Sequence, residues 1–113
     1  MITCPDCTPA QQYVLEQLQV RADVRDKTAL AVIMGNIEQE SNFRPSVCEG
    51  GAIVPYDRCL RGGYGLIQWT TKARYDGLGI FCKKYGCDPS SVEGQTRYMI
   101  NEMQFRNDLY AFQ

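Results

Sequence analysis

The chain has 113 residues, 44% of them apolar or aromatic, which is enough for one domain with a real core, since a single core serves roughly 100–200 residues. Twelve basic against thirteen acidic residues leave a formal net charge of -1, and the scattered Lys and Arg residues form no basic stripe of the kind that holds a nucleic-acid backbone. There is no histidine, which excludes His-activated nucleophiles and His-containing zinc sites.

The start, Met1 to Cys7, has neither a basic opening nor an apolar run of signal-peptide length. No stretch approaches the ~20 apolar residues of a membrane span. The chain is therefore read as having no membrane span and as reaching its place of work without an ordinary N-terminal signal. Six cysteines fall as close pairs, Cys4/Cys7, Cys48/Cys59 and Cys82/Cys87. Three readings stay open: local disulfides, free thiols held reduced in a cytosol, or a zinc site from Cys4, Cys7, Cys82 and Cys87.

In chain order, Thr8-Pro9-Ala10-Gln11 joins an N-cap, a proline at the first helical position and a capping-box Gln. With Val14, Leu15, Leu18 and Ala22 at helical spacing, it predicts a helix over 9–22. Asp26 or Thr28 caps a second helix running to about Glu40, with Ala29, Ile33 and Ile37 inward. Steps of four, four and three residues carry that face to Glu40, while Glu38 points elsewhere. Residues 42–64 are rich in Gly and Pro and lack a helical period, so they form a long loop, of the kind that is usually functional. Tyr64–Trp69 reads as a short extended segment. Thr70 or Thr71 caps a third helix with Tyr75, Leu78, Phe81, Cys82 and Tyr85 inward, and Gly86 stops it. Ser90-Ser91-Val92-Glu93 is a capping box for a fourth helix carrying Val92, Thr96, Met99, Ile100 and Met103. The apolar stub Tyr110-Ala111-Phe112-Gln113 looks like the start of something buried.

Two segments carry the chemistry: Gly35-Asn36-Ile37-Glu38-Gln39-Glu40-Ser41-Asn42-Phe43-Arg44-Pro45 and Gly62-Gly63-Tyr64-Gly65-Leu66-Ile67-Gln68-Trp69-Thr70. A carboxyl at the end of an apolar helix face stands at a cleft edge. Ile33, Ile37 and Phe43 beside it disfavour its charged form, as does the helix C-terminus. A carboxyl kept protonated is what a general acid for glycosidic cleavage needs. Opposite it, the glycines let backbone approach a ligand, Gln68 offers a donor and an acceptor, and Tyr64 and Trp69 offer faces for sugar rings. Taken singly, each feature has a plainer meaning: a helix-end Glu is usually solvated, Gly-Gly-Tyr-Gly is usually a turn, and Trp69 is more often core than platform.

Together the segments resemble a known pattern. A helix ending Gln-Glu-Ser-x-Phe-x-Pro followed by Gly-x-Gly-Leu-x-Gln is similar to the signature of lysozyme-like muralytic enzymes, among them goose-type lysozymes and soluble lytic transglycosylases. The fuller form looks most like the phage tail lysozyme family. The resemblance runs from about Thr28 through the fourth helix, including Gln95, Tyr98, Met99 and Glu102, and the cysteine pairs are no part of it.

The resemblance implies a mainly α (α+β lysozyme-like) fold, a helical bundle with the glycine-rich loop and the extended segment flanking the active-site cleft. It implies that residues 1–113 are a single peptidoglycan-cleaving domain. Because the family's domain continues through further helices, either a domain truncated at its C-terminus or a part of a longer virion protein is expected. Glu40 matches the catalytic glutamate, Ser41 the serine after it, and Gln68 the motif glutamine; Tyr64 and Trp69 fall where the family lines its saccharide cleft. The implied reaction is hydrolysis of the β-1,4 bond between N-acetylmuramic acid and N-acetylglucosamine, with no cofactor and no metal. The alternatives are lytic transglycosylation giving 1,6-anhydro products, and an inactive glycan-binding tail domain. A hydrolase needs a second carboxylate, for which the sequence offers Glu49 and Asp57 in the loop. Implied partners are peptidoglycan glycan strands and other phage tail proteins, with action from the virion on the host wall and periplasm.

Overall fold

The computed structural model describes residues 1–60 and 62–112. Among these the chain forms helices α1 (Pro9–Val20), α2 (Lys27–Ser41), α3 (Lys72–Tyr85), α4 (Val92–Asn101) and α5 (Met103–Phe112), with one 3-10 turn at Tyr56–Arg58. Small polar side chains start the first four helices by accepting free backbone N–H groups. At α1 the expected capping box is present, Gln11 N donating to Thr8 Oγ1 at 3.2 Å and Thr8 N to Gln11 Oε1 at 2.9 Å. Asp26 caps α2 and Thr71 caps α3, accepting from Ala29 N and Arg74 N. Ser91, and not Ser90, caps α4. Ser90 is engaged elsewhere, its Oγ accepting from Tyr56 N at 2.8 Å and from the Tyr64 hydroxyl at 3.2 Å. Those bonds fasten the long loop to the start of α4.

The helices pack around α4, which touches α1, α3 and α5, while α2 lies on α1. One apolar cluster gathers Val14 and Leu18 of α1, Leu30, Ile33 and Ile37 of α2, Leu78 of α3, and Met99 of α4. The fold is mainly α and lysozyme-like, as the motifs implied.

Several details differ from the expectations. Tyr85 is 52% exposed at the last position of α3, where the helix has outrun the core. Gly86 does end α3, adopting φ +71° as its left-handed cap. Met103 is 77% exposed because the fourth helix does not continue to it. The helix breaks at Glu102, whose backbone turns extended and whose side chain is held by Arg74 and Trp69. A fifth helix, Met103–Phe112, follows, for which the sequence pattern gives no expectation. Whether Tyr110, Ala111, Phe112 and Gln113 are buried lies outside the described residues.

The 64–69 segment is a tight turn and not a strand. Tyr64 and Trp69 pair with each other, Trp69 N donating to Tyr64 O at 2.9 Å and Tyr64 N to Trp69 O at 3.2 Å. Gly65 sits inside it at φ +83°, where a Cβ would come within 2.5 Å of Gln95 Oε1, so no larger residue fits. The long loop has local order of its own, from antiparallel bridges Val47–Ile53 and Cys48–Tyr64. All three cysteine pairs form disulfides, with Cα–Cα separations of 5.4 Å (Cys4–Cys7), 5.5 Å (Cys48–Cys59) and 4.4 Å (Cys82–Cys87). Local bridges are thus what the structure holds, in place of free thiols or a thiolate zinc site.

Candidate active site

A cleft of about 310 Å³ opens between the end of α2, the 64–69 turn, α3 and α5. Ile33, Asn36, Ile37 and Glu40 come from α2, and Ile67 from the turn. Arg74 comes from α3, with Phe105 and Asp108 from α5. The steps of three and four residues along α2 that put Ile33 and Ile37 in the core carry Glu40 to the same side one turn later. Past the edge of the core, however, Glu40 is exposed. The burial expected from its apolar neighbours is absent, and Glu40 stands over them at the cleft rim. Phe43 does not line the cleft. Consecutive left-handed residues, Asn42 (φ +52°) and Phe43 (φ +60°), reverse the chain and send Phe43 into the core.

The other expected saccharide contacts lie behind the cleft. Ser41 is 2% exposed, and its hydroxyl donates to Ile37 O at 3.1 Å and Leu66 O at 2.8 Å. That bond ties the last turn of α2 to the 64–69 turn. Tyr64 and Trp69 are both 0% exposed, so neither presents a ring face to a sugar. The Tyr64 hydroxyl donates to Val54 O at 2.9 Å, and the Trp69 indole N–H to Glu102 Oε1 at 3.2 Å. The Gln68 amide donates to Val47 O and Gly65 O at 3.1 and 2.9 Å, so its N–H₂ braces the turn. The corrections at Tyr64, Gln68 and Trp69 share one cause: a six-residue turn between helices sinks most of its side chains inward, where their polar groups must find partners.

The loop carboxylates do not line this cleft. Glu49 accepts from Gly63 N at 3.2 Å, and Asp57 sits in the exposed 3-10 turn. In their place the cleft holds three residues that sequence reasoning assigned no role: Arg74, Phe105 and Asp108. Glu102 lies beneath Arg74, with its side chain only 8% exposed. The Arg74 guanidinium grips it with two hydrogen bonds of 2.6 Å, and this contact holds Arg74 above its ordinary pKa. Burial first, then the Glu102 charge, pushes the Tyr98 phenol up to about 12. A signal for this group was available, since a buried Trp needs an acceptor for its N–H and Glu102 belonged to the quoted motif. Asp108 was findable too: Phe105 and Asp108, three residues apart, would share a face if the tail were helical.

Gln95 completes the support. It is fully buried, accepting from Leu66 N at 2.9 Å and donating to Pro45 O at 2.6 Å and Pro89 O at 2.8 Å. One side chain thereby joins both motif segments to α4.

A helical fold with a carboxyl over an apolar cleft at a helix end, backed by a glycine-bearing turn, defines the lysozyme-like class. The model of the phage tail lysozyme family matches residues 15–112, and the chain belongs to that family. Neither the curated proteins nor the solved structures give a match. Membership makes this a phage-associated, lysozyme-like protein of glycosidase type with peptidoglycan as its substrate. Among the described residues no helix is long and apolar enough to cross a membrane.

Proposed function

We propose that the chain is a virion-borne muramidase that hydrolyses the β-1,4 bond between N-acetylmuramic acid and N-acetylglucosamine, with Glu40 donating the proton to the leaving oxygen. The observation that carries this is the position of Glu40, alone of the carboxyls in the two motif segments, on the cleft. A glycan strand lying there strips water from the carboxyl against Ile33, Ile37 and Ile67. Asn36, one turn before Glu40, offers an amide suited to the acetamido groups of the strand. Ser41, Gln68, Tyr64 and Trp69 act through position, holding the turn against the end of α2.

The enzyme works from the phage tail, joined to other tail proteins, and opens the host wall and periplasm to genome ejection. The net charge of -1 fits delivery by a particle, since a freely diffusing lysozyme gains on-rate at an anionic wall from positive charge. Digestion of purified peptidoglycan, read by mass spectrometry, tests the activity: reducing N-acetylmuramic acid ends are expected, and intact sacculi would overturn it. Mass spectrometry of purified particles tests the location, where absence of the chain from virions would overturn the tail assignment.

A further inference from the structure

Hydrolysis with Glu40 as the acid leaves one part unfilled, the group that activates water on the other side of the sugar. The described carboxylates narrow quickly. Glu38 is exposed but lies off the cleft. Glu49 is bonded to Gly63 N, and Asp57 is outside the cleft. Glu102 is enclosed by Arg74, Trp69 and Tyr98. Only Asp108 shares the cleft with Glu40 among the described residues. Its helix is held in rotation by Phe105, 7% exposed and three residues earlier, so Asp108 falls on the same side of α5. The Asp108 carboxylate is exposed, and Oδ1 accepts from Gln104 Nε2 at 3.1 Å. Arg74, fixed by Glu102, lies in the same wall and feels the Asp108 charge.

We propose that Asp108 is the second carboxylate of this enzyme, the base that takes the proton from the attacking water. The inference rests on the reading of Glu40 as the acid. Water oxygen bonds to C1 of the muramic residue as the bond from C1 to the glycosidic oxygen breaks. The electron pair of that bond goes to the leaving oxygen, which receives the Glu40 proton, while Asp108 receives the proton lost by water. Attack from the face opposite the leaving group inverts the anomeric centre.

The test uses the full chain, purified peptidoglycan, and the variants Glu40→Gln, Asp108→Asn and Asp108→Ala, with and without added azide. Asp108→Asn should lose ~10²–10⁴-fold in activity, as expected for removal of a general base, with its thermal unfolding close to that of the parent. Azide needs no base, so it should restore turnover to Asp108→Ala and leave a muramyl azide of inverted configuration. Failure of azide to rescue an inactive Asp108→Ala would overturn the proposal, because a merely disturbed cleft gives that result. Retention of more than a tenth of parental activity by Asp108→Asn would overturn it too. So would 1,6-anhydro products from the parent, since the muramic 6-hydroxyl then replaces water. Full activity of Glu40→Gln would instead sink the assignment of the acid, and is read separately.

Discussion

The two motif segments lie side by side and serve opposite ends. The end of α2 puts Asn36 and Glu40 on the open cleft. The 64–69 turn sends Tyr64, Leu66 and Trp69 inward, each 0% exposed, and gives the cleft little beyond Ile67. A motif therefore marks a site without saying which of its residues meet the ligand. In the proposed mechanism the first segment supplies the acid, while the second, with Gln95, Ser41 and the Arg74–Glu102 pair, is bonded against the end of α2 and the start of α4.

The contrast breaks most sharply at Glu40. Glu40→Gln should lower peptidoglycan cleavage ~10²–10⁴-fold with little change in thermal unfolding, since the side chain is exposed. Activity above a tenth of the parent would remove the chemistry from α2. Beneath the cleft the effect should appear in stability. Glu102→Ala strands the Arg74 guanidinium and leaves the Trp69 indole N–H without its acceptor, and breaking such a buried pair costs about 3–5 kcal/mol. Chemical denaturation reads this, and an unchanged midpoint would show that the pair is not structural.

The 48–59 bridge sharpens the comparison further. The resemblance implies that this loop flanks the cleft, but residues 48–59 do not line it. Replacing Cys48 and Cys59 together by serine should therefore lower stability by about 3 kcal/mol or less, given the short closed loop, and leave KM nearly unchanged. A raised KM at unchanged stability would return the loop to the site. Smaller still is an alkaline effect. Burial raises the Tyr75 phenol to about 12, as it does Tyr98. Both stay neutral in the folded chain while their unfolded counterparts ionise near 10. Their contribution is therefore complete below pH ~10 and is lost as pH rises toward ~12. Unfolding followed against pH should show a decline in that window, lessened by Tyr98→Phe.

Four helices and three of their caps were legible because local chemistry decides them: Thr8, Asp26 and Thr71 accept N–H groups only a few residues away. Glu40 was legible because helical phase extends one turn past a clear apolar face. What escaped depends on distant partners. The break at Glu102 is made by Arg74, 28 positions earlier, and no periodicity in α4 announces it. The seemingly extended run at 64–69 became a turn because Gly65 and Gln68 take positive φ (+83° and +55°), with Gln95 from α4 packed against Gly65 and accepting from Leu66 N. Burial of Tyr64 and Trp69 follows from that turn, so the misplacement of the aromatic residues and of the turn is one error.

The smallest expected effect tests the register on which the whole contrast depends. Glu38 and Glu40 are both acidic, both exposed and two residues apart on α2. At about 100° per residue they point to different sides of the helix, and only Glu40 lines the cleft. The Glu38 backbone carbonyl accepts from Asn42 N at 2.8 Å, a bond that any side chain preserves. Glu38→Gln should then leave kcat/KM within about twofold and stability within about 0.5 kcal/mol, as for surface substitutions generally. Side-by-side kinetics of Glu38→Gln and Glu40→Gln provide the check. Equal losses would mean that the charge of the helix end matters more than the placement of one carboxyl. A loss at Glu38 alone would rotate the end of α2 and move the site to another face.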